Sequence, residues 1–324
     1  MYRDFASIKM RPAGITMTMI ALGVRTARES VLVSAVSMMV ALLFLLVLSP
    51  LLSWAGEGMD ASMEGEGSVS LPASLNDGSG KYSVVRAGAT GTVKTQYVTV
   101  RLSARRDMYS WFNRHSLPFG NGSKVPWEAL NRLGLSLRHS GELGGDWGYF
   151  ASASASASYE KQIDGSLGLS ASAGTVWKPS QEWTVRLGAG VVWHKIRSYP
   201  IPVAGISYRS QALKGFEAEL GFPYSHVGYR VNEWLGVRLT GEMDYGLYRL
   251  ASDSAVRRDG YVEFSGYSTG LWAELTPLEA MTLRLGCAWD FQGNVTLYRE
   301  NGEGKKQYSR AGTPRLGATM RYDF

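Results

Sequence analysis

Apolar and polar residues alternate with a period of two along most of the second two thirds of the chain. Residues 183–194 show it best. Trp183, Val185, Leu187, Ala189, Val191 and Trp193 fall on one side, and Thr184, Arg186, Gly188, Gly190 and His194 on the other, with Val192 the exception. Successive side chains of a strand point to opposite faces, so this spacing predicts a strand with one oily and one wet face. Ten residues at about 3.3 Å each, tilted about 40°, rise roughly 25 Å, the height of a lipid-facing band between two aromatic girdles. The same arrangement, a short polar turn and then an alternating run with an inward Arg, recurs at 178–188, 231–240 and 276–286. At the end of the chain Leu316, Ala318, Met320, Tyr322 and Phe324 alternate with Arg315, Gly317, Thr319, Arg321 and Asp323.

This last stretch, closing on Phe324, resembles the carboxy-terminal signal of bacterial outer-membrane β-barrels. The resemblance implies recognition by the barrel-insertion machinery through Tyr322 and Phe324. The segments can then be counted. Strands are expected near 94–105, 133–137, 147–159, 166–177, 183–195, 203–210, 215–222, 226–231, 235–248, 261–275, 281–296 and 308–324, with 108–127 as a long external loop. Residues 82–91 are left over, either extending the first strand or entering the lumen. The expected fold is all-β: a closed antiparallel transmembrane β-barrel of about 12 strands with both ends in the periplasm. The Ala-Ser run at 151–158 fits as a strand with Ala toward lipid and Ser toward the lumen; its alternative is a disordered linker.

Residues 31–52 are almost unbroken apolar, preceded by basic residues and followed by Ser53-Trp54-Ala55. This predicts a cleavable signal peptide over 1–55 with a long amino-terminal region; the alternative is a retained inner-membrane helix. Residues 56–80 are rich in Gly, Ser and acidic residues without a period, and are expected to be a flexible periplasmic linker before a barrel over 81–324.

A second resemblance rests on Gly221-Phe-Pro-Tyr-Ser-His-Val-Gly-Tyr-Arg230 and the preceding Pro-Val-Ala-Gly-Ile-Ser-Tyr208. Both are similar to segments of a proteobacterial outer-membrane family catalogued only as a domain of unknown function. That resemblance implies a barrel in the outer membrane of a diderm bacterium, in contact with its lipid, and implies no activity.

Composition narrows the reading. Glycine counts 38 and aromatics 11%, while the mean hydropathy is close to zero. A multi-helix membrane protein would be far oilier, whereas alternation cancels in any average. The single cysteine, Cys287, excludes an intrachain disulfide and sits on an apolar face. Of the net charge of +6, +3 lies in residues 1–55, where Arg3, Lys9, Arg11, Arg25 and Arg28 oppose Asp4 and Glu29. The remaining +3 is too slight to argue for nucleic acid.

The wet face gathers charges of both signs. The lumen-lining candidates are Arg101, Arg138, Arg186, Arg238, Glu242, Asp244, Arg284 and Asp290. Arg105, Arg132, Glu274, Arg315, Arg321 and Asp323 belong to the same face, on which Arg outnumbers acid. A wide lumen of this kind favours anions; a mutually paired network closes a narrow one. Catalytic constellations are absent from the pattern. His139 and Ser140 are adjacent and so point to opposite faces, which defeats proton transfer between them. His115, His194 and His226 are scattered, and no carboxylate spacing suggests a metal; no cofactor is expected. The expected function is a small-solute channel or binding barrel with a polar, Arg-biased lumen. The alternatives are a non-conducting structural or surface-binding barrel and, third, an outer-membrane enzyme.

Overall fold

A computed structural model describes residues 59–324 except Asp77, Asn121, Leu213 and Lys214. The expected signal peptide at 1–55 lies outside the described residues. The chain forms strands β1 (Asp60–Ser70), β2 (Ala73–Ser74), β3 (Lys81–Lys94), β4 (Thr99–Phe112), β5 (Ala129–Gly144), β6 (Trp147–Tyr159), β7 (Leu167–Trp177), β8 (Trp183–His194) and β9 (Arg197–Arg209). It continues through β10 (Phe216–Gly221), β11 (Tyr224–Arg230), β12 (Leu235–Arg249), β13 (Tyr261–Leu278), β14 (Met281–Asp290), β15 (Gly293–Tyr298), β16 (Lys306–Arg310) and β17 (Thr313–Asp323). Each neighbour in the wall pairs antiparallel with the next. β17 then returns to β1, from Ser62↔Asp323 to Ser70↔Arg315, which closes the barrel. An open edge in lipid would leave backbone donors and acceptors without partners, and closure removes it.

The wall has 14 strands, β1, β3 to β14 and β17, rather than about 12. The two additions are β1, in the stretch expected to be a flexible linker, and β3, in the leftover segment. Their register explains why they carry no oily signal. Glu66 opposes Gly88, which opposes Arg105 on the inner face, so Gly65, Gly67, Ala87, Ala89 and Gly91 take the outer one. Those residues are too small to contrast with the inner face.

The other strands follow the alternation. On the outside of β7 and β8, Leu169, Trp177, Trp183, Leu187, Val191 and Trp193 are exposed. Trp147 stacks on Trp177 at one end of the barrel, with ring centroids 5.9 Å apart. The Ala-Ser run is strand β6 rather than a linker, and its inner serines pair with those of β7: Ser152 with Ser172 and Ser154 with Ser170, each at 2.7 Å. Gly174 and Gly188 face each other across β7 and β8. The ring of Phe150 lies over Gly174, and a Cβ there would fall 2.2 Å from the Leu187 carbonyl oxygen.

At the end that also holds the carboxy terminus every connection is short, such as 145–146 and 279–280, whereas the long connections 113–128 and 250–260 lie at the other; the first is the turn end. The opposite, loop end is not open. The hairpin of β12 and β13 leaves the wall in its upper part and leans across the mouth, where Arg249 bridges to Tyr159 of β6. Around it lies the main apolar core, including Leu75, Tyr82, Phe119, Trp127, Leu130, Tyr248, Val262 and Leu297. Of the segment 108–127, expected as an external loop, residues 108–112 belong to β4 and the remainder sends Phe119 and Trp127 into this core, where Trp127 is 1% exposed. The β15–β16 hairpin completes the rim, with β15 pairing against the upper part of β13.

Candidate functional site in the barrel lumen

Three cavities follow one another inside the wall. The first, of about 520 Å³, is near the turn end and is lined by Arg209, Glu217, Arg238, Glu274, Thr276 and Arg284 among others. The second, of about 350 Å³, includes Glu66, Arg86, Arg105, Glu242 and Asp244. The third, of about 340 Å³, lies under the inward hairpin and includes Arg101, Ser154, Ser156, His194, Tyr199 and Leu247. The first and second share Arg238 and Arg284. The second and third share Arg132 and Tyr245.

The partition between the first two is a charge cluster built from strands β10, β12, β13 and β14. Arg238 Nε and Arg284 Nε donate to Glu274 Oε1 at 3.0 and 2.6 Å, and Arg238 Nη2 donates to Glu217 Oε1 at 2.7 Å. Each of these residues sits on the inner face because its outer neighbours, such as Val237, Leu239 and Leu285, face lipid. Nearby, Arg186 donates to Glu219 at 2.8 Å.

The second cavity is held by longer-range pairs. Arg86 reaches Asp107 at 3.2 Å and Asp244 at 3.4 Å. Arg315 reaches Glu242 at 3.0 Å and Asp290 at 3.2 Å. Arg105 donates to Tyr248 Oη at 2.9 Å.

The third cavity differs. Its floor is the serine ladder of β6 and β7, and two of its guanidiniums lack an acid. Arg132 donates to Ser158 Oγ and to the Tyr245 carbonyl oxygen, both at 3.2 Å, and covers the Tyr248 ring. Among the described residues no carboxylate stands within 4.0 Å of Arg101, Arg132 or Arg138, whereas Arg197 pairs with Glu263 at 3.1 Å.

The eight candidates from the sequence are thus dispersed along the lumen. Arg238 and Arg284 meet at the first partition, Glu242 and Asp244 line the second cavity, and Asp290 shares Arg315 with Glu242. Arg101 lines the third cavity, and Arg138 faces Arg101, Arg186 and Glu219. Sequence reasoning missed Glu217, Glu219, Asp107, Glu263, Arg86 and Arg197. Glu217 and Glu219 flank Ala218 with the same two-residue period that marked the other strands, so that signal was present; Arg86 lay in the uncounted β3.

On the loop side, Glu160 holds the inward hairpin. Its Oε2 accepts the Ala251 backbone N–H at 2.8 Å, and its own N–H donates to the Arg249 carbonyl oxygen at 2.8 Å. Burial raises the Glu160 pKa above the usual carboxylate value, against the opposing pull of the Ala251 N–H. His139 contacts the Tyr97 carbonyl oxygen and Tyr149 Oη, not Ser140. Among the described residues no group of His, Cys, Asp and Glu is arranged to hold a metal ion.

No family model matches the chain, and no curated protein matches it. Solved structures with a similar arrangement of strands include an outer membrane channel, a porin and a toluene transporter. An outer membrane channel from Pseudomonas putida F1 has 11% identity and a TM-score of 0.42, with 83% of this chain and 97% of that one covered. The KdgM porin has 9% identity and a TM-score of 0.33, covering 81% and 99%. The P. putida toluene transporter TodX has 8% identity and a TM-score of 0.34, covering 84% and 92%.

Proposed function

We propose that this chain is an outer-membrane barrel that passes small solutes along its lumen, with a preference for anions. The observation that carries the reading is the series of three cavities inside a closed wall, the first two meeting at Arg238 and Arg284 and the last two at Arg132 and Tyr245. Side chains can shift rotamer on short timescales, so a partition of Arg238, Arg284, Glu217 and Glu274 narrows a path without sealing it. The unpaired Arg101, Arg132 and Arg138 supply the bias toward negative charge. In this reading residues 1–55 direct secretion, the turn end faces the periplasm, and Tyr322 and Phe324 meet the insertion machinery. The chemistry is passage, not catalysis.

Planar-bilayer recording of purified protein tests it. The expected result is small, stepwise conductance with reversal potentials on the anion side. Absence of steps, in the wild type and in an Arg238→Ala, Arg284→Ala double variant, overturns it. One observation favours a second reading, a non-conducting barrel: the aromatic core around Trp127 and Tyr248 fills much of the loop end. That reading expects silence in both proteins.

A further inference from the structure

The wall is not of even height. β10 and β11 have 6 and 7 residues, while their flanking strands β9 and β12 have 13 and 15. On one flank the pairing with β9 ends at Gly205↔Gly221, beyond which Phe222 N donates to the Ala204 carbonyl oxygen at 3.1 Å. On the other flank it ends at Tyr224↔Glu242, beyond which Met243 N donates to the Pro223 carbonyl oxygen at 3.0 Å. Above the Phe222–Pro223 tip, residues 199–203 of β9 keep β8 as a neighbour and, among the described residues, pair with no strand on their other side. β12 does not fill the space, because it has turned inward: the Tyr245 and Arg249 carbonyl oxygens take Arg132 Nη2 and Glu160 N from the opposite wall. A gap is left between β9 and β12.

Its height is fixed by register. Trp183 opposes Tyr208 and Trp193 opposes Ser198. Residues 199–203 therefore lie between the two girdles, at the level of lipid.

The open edge is chemically adapted to that level. In an antiparallel ladder a residue's N–H and C=O point to the same neighbour, and successive residues alternate. Ala204 points toward β10, so residues 202 and 200 point toward the gap. Both are proline. Proline has no N–H and is found in sheets on edge strands or at bulges. Two donors that an exposed edge would strand in hydrocarbon are thus absent. By strand order β9 is internal to the wall, and two prolines there make sense once that part of it is an edge.

Behind the gap stand Tyr199 and Tyr245, with ring centroids 6.0 Å apart at 74°, and both line the third cavity. Exposed Leu220 and Phe222 form the rim below. The cavity, about 340 Å³, is within the size range of small-ligand sites, and Arg101 and Arg132 bring it charge without a matching acid.

We propose that the gap between β9 and β12 is a lateral portal. Through it a small amphipathic anion, an apolar chain or ring bearing a carboxylate, passes from the outer leaflet into the third cavity, where Arg101 and Arg132 receive its charged group. This rests on the lumen being a solute path and names the solute and its entrance.

The test uses full-length mature protein in lipid bilayers, with Cys287→Ser and a fluorophore on Val192→Cys, a position on the cavity wall. The probe is a nitroxide-bearing decanoate dissolved in the bilayer, with octanesulfonate as competitor. Saturable quenching that octanesulfonate relieves is expected. Arg101→Gln, which breaks no ion pair, weakens the apparent affinity about ten-fold, the worth of one charge-assisted contact. Val203→Trp, a bulky side chain on the gap-side strand, slows the onset several-fold at an unchanged plateau, and Phe222→Ala, which trims the rim, hastens it. Equal onset in all three proteins overturns lateral entry, and non-saturable quenching overturns the binding site. Conductance recorded on the same preparation separates the readings. Conductance without saturable quenching sinks the portal alone; saturable quenching without conductance sinks the axial path.

Discussion

Glu274→Gln isolates the first partition. The carboxylate is bonded to two guanidiniums, at 3.0 and 2.6 Å, and its side chain is 17% exposed. Gln keeps the shape and one acceptor but adds a unit of positive charge to the partition between the first and second cavities. At about 5 Å from a passing ion, with water between, that charge is worth about 0.8 kcal/mol, attractive for an anion and repulsive for a cation. Screening at about 0.1 M salt reduces it to about 0.5 kcal/mol. The two signs act oppositely on the permeability ratio, so the anion:cation ratio rises by about 1 kcal/mol, or about five-fold. The assay is the reversal potential under a salt gradient in a planar bilayer, which depends on neither protein amount nor open time. The shift should shrink as salt is raised. A reversal potential unchanged at low salt would mean that ions do not pass Glu274, and the serial path through Arg238 and Arg284 would be refuted. The same variant loses stability in detergent, by about 2–3 kcal/mol, because Arg284 is left without a carboxylate while Arg238 keeps only Glu217.

Other outcomes follow from the same geometry. Glu160→Ala removes the acceptor of the Ala251 N–H and costs about 1–3 kcal/mol by denaturant unfolding in detergent, with enhanced amide exchange at 250–260. Because the Glu160 pKa is raised on folding, its contribution is present below the unfolded value of about 4.3 and is lost as pH rises through the folded value. Glu160→Gln should therefore match wild type in acid and exceed it slightly above neutrality. Trp127→Ala empties a site 1% exposed; it should cost about 3–5 kcal/mol, and, if the aromatic core is what limits flow at the loop end, raise single-channel conductance. Leu187→Arg places a charge on an outer position 59% exposed between Trp183 and Trp193 and should cost about 2–4 kcal/mol in refolding into liposomes, whereas the same change at inner Ser172 should not show that depth-dependent cost.

The sequence by itself determined the period, and with it the fold class, the tilt-corrected height of the lipid band and the wet or oily face of strands such as β8. It did so because lipid on one side and water on the other impose opposite chemistry on successive residues. Where that contrast failed, reading failed: β1 and β3 turn Gly65, Gly67, Ala87 and Ala89 outward and so looked like a linker and a remnant. The sequence also held Pro200 and Pro202 and the short β10 and β11, but their meaning depended on which neighbour the prolines face, a matter of register. Only the tertiary structure decided that the β12–β13 hairpin leaves the wall, since Tyr248 and Val262 are as apolar as residues that face lipid, and alternation cannot tell a membrane from a protein core. Only closure of the barrel could bring Arg86 to Asp244, 158 residues away, or leave Arg101 and Arg132 without an acid. Which charges meet across a lumen is set by the number and stagger of the strands between them, and no local pattern encodes that.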